Sequence, residues 1–469
     1  MSFNSFQFWL VYPCLFLAYW LIPERKGKLR KWYLIAVSYL LYMNWLPAFA
    51  LVLLGVSLIT YVGGTYIERI RGKKYYMLRG WLLALLALLP LLIFKYYNFV
   101  NANLSSLMAS LGLQMSLPGL NWAVPIGISF FTFQAVGYYF DVFYSRIRAE
   151  HSLGDYLLFV SFFPQIMSGP ISKASELLPQ IKSPHPFCRP QGVKGLRLLL
   201  WGMFLKLVIA DRLGLYVDAV YSNFVHYSGW NCLLASVFYS LQIYTDFAGY
   251  SLMAMGIAKT LGFDIINNFH RPYFAVSVTD FWHRWHISLS RWLKDYVYIP
   301  LGGSRCSKAR NYLNILLTFL VSGIWHGAAW TFILWGVLHG IAQVIEKFFH
   351  GQRYDGKRLV IKGVKIAGTF VIINFLWIVF RMPNVSDSVA FVGHIFSNFH
   401  QGEFLTQQMT SIKLGLPLLI LKDVHDEFFP NRFRVMDSKV LRRTIYLVLF
   451  SMIILNGVLD SGSFIYVSF

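Results

Sequence analysis

Charge is scarce in this chain. Only 13% of its 469 residues are Asp, Glu, Lys or Arg, 57% are hydrophobic, and the mean hydropathy is +0.52. A soluble protein of this length needs far more polar surface, so composition excludes a soluble fold and indicates a polytopic membrane protein. Acidic residues are the rarer sign, 21 against 42 Lys and Arg. In a soluble chain the resulting net charge of +21 would suggest nucleic acid. Here the basic residues form short clusters between apolar segments, the pattern of cytoplasmic loops, and no nucleic-acid partner is expected. Cysteine is also sparse. Cys14, Cys188, Cys232 and Cys306 lie far apart without a CxxC pair, which gives neither a disulfide framework nor a zinc site. Phosphate loops, Rossmann glycine patterns and HExxH are missing as well, and with them the commonest nucleotide-binding and zinc-hydrolase signatures. Aromatic side chains, by contrast, reach 18%, with 15 Trp and 28 Tyr, as expected where many helix ends need anchors at headgroup level.

The first apolar segment, Phe6 to Leu21, has no positive charge before it and no small-residue cleavage site after it. It therefore reads as an uncleaved span. Basic clusters at residues 25–31 and 69–79 place those loops in the cytoplasm and the N-terminus outside. Two spans, Trp32 to Met43 and Pro47 to Ile67, separate these clusters, and Gly80 to Phe94 follows. The uncharged stretch from Asn101 to Asn121 reads as an outer loop or interfacial helix. Val124 to Tyr144 is long enough to span but carries Pro125, Gly127, Gln134, Gly137 and Asp141, so close helix packing or a polar role is open. Leu157 to Ile181 is too broken by proline to span and reads as a re-entrant or cavity-lining element. Further spans are expected at Gly195 to Ala210, Cys232 to Tyr250, Val364 to Phe380, Ile412 to Leu421 and Thr444 to Leu459. Gln242 and Asp246 lie in the second half of one of them; Asp246 reads as capped or paired near a helix end, or as part of a polar pathway. The expected class is an all-α polytopic membrane protein of roughly ten to twelve membrane segments, a single domain over 1–469, with the C-terminal FIYVSF outside.

The organising stretch is DFWHRWHISLSRWLKDYVYIPLGG (Asp280 to Gly303) with SGIWHGAAW (Ser322 to Trp330). Tyr312 to Phe348 is nearly uncharged and flanked by Arg310 on one side and Lys347, Arg353 and Lys357 on the other. With both ends inside, a stretch far longer than the roughly 20 residues of one span implies a helical hairpin, its apex near Trp330. His326 then lies at or beside that apex. A histidine at such depth is either bonded within the core or functional. His286 sits in an aromatic and basic run that could lie on lipid headgroups or line a mouth for an anionic, adenine-bearing donor such as an acyl coenzyme A. No carboxylate or thiol accompanies either histidine at ligand spacing, so no metal site is expected.

These motifs, together with VPIGISFFTFQAVGYYFDV, LQIYTDFAGYSLMAMGIAKTLGF and NFHRPY, resemble the membrane-bound O-acyltransferase superfamily. The likeness is to the bacterial branch acting in alginate O-acetylation and in D-alanyl transfer to teichoic acid. The resemblance implies a ring of helices around a transmembrane tunnel, with a catalytic core at about 124–345. It maps a catalytic histidine onto His326 of WHG and a second functional histidine onto His286 of the RWH sequence, leaving His283 at a variable position. Trp325, Trp330, Arg284, Trp285, Arg291, Asp246 and Gln242 are the candidates for shaping the tunnel or holding substrate. The implied function is transfer of an acyl group, acetyl by default, from a cytoplasmic thioester to a hydroxyl of a cell-envelope polysaccharide. No bound cofactor is implied. The donor is acetyl coenzyme A or an acyl-carrier thioester, and an extracytoplasmic partner protein completes the transfer in the bacterial cytoplasmic membrane. Burial is expected to keep His326 neutral, the form a general base needs. A transporter using His326 as a proton relay, and a scaffold subunit indifferent to both histidines, are the competing readings.

Overall fold

The computed structural model of the chain describes residues 3, 5–113, 117–183, 185–349, 359–399, 409–429 and 438–458. FIYVSF, Arg353 and Lys357 lie outside the described residues, and so does part of the stretch from Asn101 to Asn121. Among the described residues every regular element is a helix, as the sequence predicts, and the chain divides into two compact units.

The first unit comprises Met1–Leu196 and Ala254–Ile266. It holds α1 (Phe6–Leu21), α2 (Gly27–Met43), α3 (Pro47–Arg69), α4 (Tyr76–Ser110), α5 (Ile128–Phe143), α6 (Leu153–Ser161), α7 (Phe163–Ile166), α8 (Ala174–Lys182) and the start of α9 (Arg189–Met203). Ser5 caps α1 by accepting from the Phe8 amide, and Pro47 opens α3, where a missing N–H costs nothing. The helix expected over Gly80 to Phe94 runs on to Ser110. Asn101 to Ser110 is therefore helical, since Asn and Ser there interrupt neither the backbone ladder nor the run of apolar neighbours.

The segment read as a span from Val124 is shorter than expected. Helix α5 begins only at Ile128, and all sixteen of its residues are buried within protein. Pro125 and the left-handed Gly127 (φ 72°) keep the preceding residues out of the helix. Only glycine fits there, because a Cβ would lie 2.1 Å from the Ile166 carbonyl oxygen. Gln134 on α5 donates to the Phe159 carbonyl at 2.5 Å and accepts from the Ser172 amide at 3.2 Å. It thus satisfies the broken, fully buried backbone around α6 and α7 that the prolines predicted.

The second unit comprises Arg197–Met253 and Asn267–Phe469. A π-helical turn over Phe204–Ala210 joins the end of α9 to α10 (Asp211–Ser222), followed by α11 (Gly229–Thr260), α12 (Val278–Arg284) and α13 (Ile287–Leu293). Then come α14 (Lys308–His326), α15 (Trp330–Phe349), α16 (Leu359–Arg381), α17 (Val385–Ser397), α18 (Met409–Phe428) and α19 (Lys439–Asn456). The expected hairpin is α14 and α15, turning at residues 327–329. Its helices meet through glycine: a Cβ on Gly323 would lie 2.3 Å from the Phe332 carbonyl oxygen, and one on Gly336 would lie 2.4 Å from that of Phe319.

Among the described residues, four helices, α3, α4, α15 and α16, are long and apolar enough to cross a membrane. A fifth crossing is possible if α1 and α2, bent by 101° at their junction, act as one broken span. The protein is a multi-pass membrane protein.

Candidate functional site

His326 is the last residue of α14 and is 2% exposed. Gly327 follows in extended backbone, so the imidazole is carried at the hairpin apex, as the position of the apolar midpoint predicts. The ring centroid of His326 lies 5.0 Å from Trp325, 4.9 Å from Trp335 and 5.2 Å from Phe380, each ring meeting it edge to face.

His286 reaches the same cluster from another element. The run from Asp280 to Leu293 is two short helices and not the single interfacial helix considered from sequence. They break at Trp285 and His286, and His286 takes the left-handed conformation (φ 43°, ψ 53°) that residues with a side chain rarely adopt. Such a residue persists only where its surroundings over-determine it. Here the NFHRPY segment does so: the His270 amide donates to the Arg284 carbonyl at 2.9 Å, and the Ile287 amide to that of Asn268 at 3.0 Å. The Asn268 Oδ1 then accepts from the Ser288 amide at 3.1 Å. His286 is fully buried instead of interfacial. Burial pushes its imidazole down to about 3, so it is neutral at any physiological pH. Phe247 stands edge-on at 4.6 Å, and Trp325 lies 5.7 Å away on another side. Trp325, itself buried, therefore touches both histidines.

The other sequence candidates separate from this pair. Trp330, the first residue of α15, is 58% exposed, unlike the buried Trp325. Trp285 is fully buried but packs against Phe281, Phe269 and Trp377, which makes it part of the core beneath the break. Arg284 is held by Asp280 and Glu427, each at 3.0 Å, and Glu427 also takes Arg271 and Lys362. That charge is committed within the protein. Arg291 is half-buried in the last turn of α13. Asp246 is not near a helix end, because α11 continues to Thr260. It pairs with Lys206 at 2.5 Å, and Lys206 also meets Asp211 at 2.8 Å, a buried trio built on the π-helical turn. Gln242 is buried against Gly214, and its Oε1 has no hydrogen-bond partner among the described residues.

A third histidine was not singled out by spacing. His339 on α15 is fully buried; its Nδ1 accepts from Trp282 Nε1 at 3.2 Å, which places its proton on Nε2. Trp335 lies 4.6 Å from His339, so one indole links it to His326. The signal available in sequence was its position on the Trp335 and Gly336 face of α15. Among the described residues no three His, Cys, Asp or Glu side chains converge as metal ligands. The chemistry on offer is that of buried imidazole in an aromatic enclosure, whose ring nitrogen can take a proton from a hydroxyl set against it.

Residues 127–383 match the model of the MBOAT, membrane-bound O-acyltransferase family. The chain is 33% identical over 428 residues to a probable alginate O-acetylase AlgI of Pseudomonas aeruginosa, covering 89% of this chain and 80% of that protein. It is 34% identical over 408 residues to a peptidoglycan O-acetyltransferase of Helicobacter pylori, 80% of this chain and 76% of the relative. A teichoic acid D-alanyltransferase of Bacillus subtilis is 26% identical over 312 residues, 64% of this chain and 75% of its own length. With both histidine motifs inside the matched region, the chain belongs to the membrane-bound O-acyltransferase family and is an O-acyltransferase.

Proposed function

We propose that this chain transfers an acetyl group from acetyl coenzyme A, on the cytoplasmic side, to a hydroxyl acceptor for O-acetylation of an extracytoplasmic cell-envelope polysaccharide, with His326 as general base. The observation that carries this reading is the burial of His326 at the hairpin apex, one indole away from His286. An imidazole nitrogen of His326 takes the acceptor's hydroxyl proton as the oxygen attacks the thioester carbonyl. The tetrahedral intermediate then collapses, the C–S bond breaks, and the departing thiolate takes the proton back from the imidazolium. Neutral His286 orients a reacting group through hydrogen bonding, and Trp325 sets the separation of the two rings. A tunnel within a ring of helices delivers donor and acceptor, with both termini outside the bacterial cytoplasmic membrane. An extracytoplasmic partner protein accepts the group or completes its transfer. The names of the alginate and peptidoglycan relatives support acetyl as the group and a polysaccharide as its destination. Likeness to a teichoic acid D-alanyltransferase favours, as a second reading, D-alanyl delivered by a carrier protein.

The test is transfer in proteoliposomes supplied with radiolabelled acetyl coenzyme A or, separately, a D-alanyl carrier thioester. Thioester turnover by the wild type, reduced at least about a hundredfold in a folded His326→Ala variant, is expected. Turnover retained in that variant overturns the assignment. Passage of label across the bilayer without thioester cleavage would establish a transporter.

A further inference from the structure

We infer that the bend between α1 and α2 forms a binding site for a phosphate-bearing anion, separate from acyl transfer and not dependent on that reading. A cavity of about 210 Å³ opens there, with Lys28, Arg30, Lys31 and Lys182 in its lining against the single carboxylate of Glu24. Two of these cations are already answered, Lys31 by Asp155 at 2.7 Å and Lys182 by Glu150 at 2.6 Å. Lys28 and Arg30 have no carboxylate within ion-pair distance among the described residues.

Arg30 is the centre of the site. It is only 8% exposed, and its guanidinium lies 5.0 Å over Trp20 and 5.3 Å over Tyr19. Its Nε donates to the Ile22 carbonyl at 2.8 Å and its Nη1 to that of His185 at 2.7 Å. These bonds fix the fork without neutralising it. A buried guanidinium lacking a counter-charge is costly, and one already immobilised binds an anion without losing further side-chain freedom. Planar, paired donors suit phosphate oxygens. The first turn of α2 adds Gly27 and Lys28 to the wall, and no side chain caps that turn. Leu34, Leu158 and Phe263 give the cavity an apolar side as well. That combination of fixed cation, helix start and apolar wall, at the break of a candidate membrane span, matches a phospholipid headgroup with its glycerol shoulder. The same phosphate chemistry is carried by a soluble molecule such as coenzyme A.

The experiment uses the full chain in mild detergent, with saturable binding measured for phosphatidylglycerol, inorganic phosphate and coenzyme A. Lys28→Gln, at an exposed position, and Arg30→Gln test the site; Lys74→Gln, in another exposed basic cluster, is the control. Phosphatidylglycerol binding that weakens roughly tenfold in Lys28→Gln and in Arg30→Gln but not in Lys74→Gln supports a headgroup site. The same sensitivity seen with inorganic phosphate or coenzyme A, and not with the lipid, supports a soluble source. If Arg30→Gln does not fold, Lys28→Gln decides alone. Binding of all three probes indifferent to Lys28 overturns the proposal.

Discussion

Asn268 shows how much of this site depends on a residue that acts through the backbone. It is fully buried; its carbonyl and Oδ1 receive the amides that follow His286, and its Nδ2 donates to Ser251 Oγ at 3.4 Å. Asn268→Ala removes the Oδ1 acceptor of the Ser288 amide, a cost of about 1–3 kcal/mol that falls where His286 is held left-handed. The expected result is a folded protein with lower melting temperature and reduced acyl transfer, checked by thermal unfolding and thioester turnover together. Unchanged turnover would mean that His286 does not need its clamp. Trp330→Leu should leave transfer unchanged within about twofold, since the indole is 58% exposed while both histidines are buried. The two positions also show what was legible. His326 stood out in the sequence because it interrupts an apolar run, whereas His286 lies in an aromatic and basic run, and its role and that of Trp325 came from the family resemblance. His339, Phe247, Trp335 and Phe380 did not stand out, because an aromatic residue in a membrane helix gives no sign of which ring it will face.

At the scale of elements, the α14–α15 hairpin was readable from charge and length alone: two basic flanks and too many apolar residues for one crossing. Its interior contact was readable only as an abundance of small residues. Gly323→Ala places a methyl group against backbone, which cannot yield as a flexible side chain would. A loss of about 1–3 kcal/mol is expected, seen as early thermal unfolding, with partial separation of α14 from α15. Helix α5 shows the close packing its small residues suggested, but it starts later than expected, because Pro125 and the left-handed Gly127 delay it to Ile128. The division of Asp280 to Leu293 into two helices was hidden too, because it is imposed by the pairing with Asn268 and His270, distant in sequence.

For the molecule as a whole, polytopic character and family were legible end to end, while charge pairing was not. Arg284 looked available for a donor, yet Glu427 captures it along with Arg271 and Lys362. Burial alone would raise the Glu427 carboxyl, but hydrogen bonds from Arg284 and Arg271 outweigh it and hold the group below the usual carboxylate range. A carboxylate depressed in the folded state stabilises above its unfolded pKa, and that contribution is lost as pH falls through the folded value. His286 acts in the same direction, since the unfolded imidazole binds a proton from near pH 6.5 downward while the folded one stays neutral. Melting temperature should therefore fall on acidification below about pH 6.5 and again below the ordinary carboxylate range. In Glu427→Gln the second decline should shrink and the first remain.

The hairpin also sets a rule for how this chain can vary in length. His326 lies at the end of a helix whose rotation is fixed three residues earlier, where Gly323 meets the backbone of α15. One residue inserted between them would turn the imidazole by about 100° around the helix axis, away from Trp335 and Phe380. An insertion in the exposed turn after Gly303 meets no such constraint. Natural or engineered variants should accordingly tolerate added residues around 304–307 and almost none between 323 and 336.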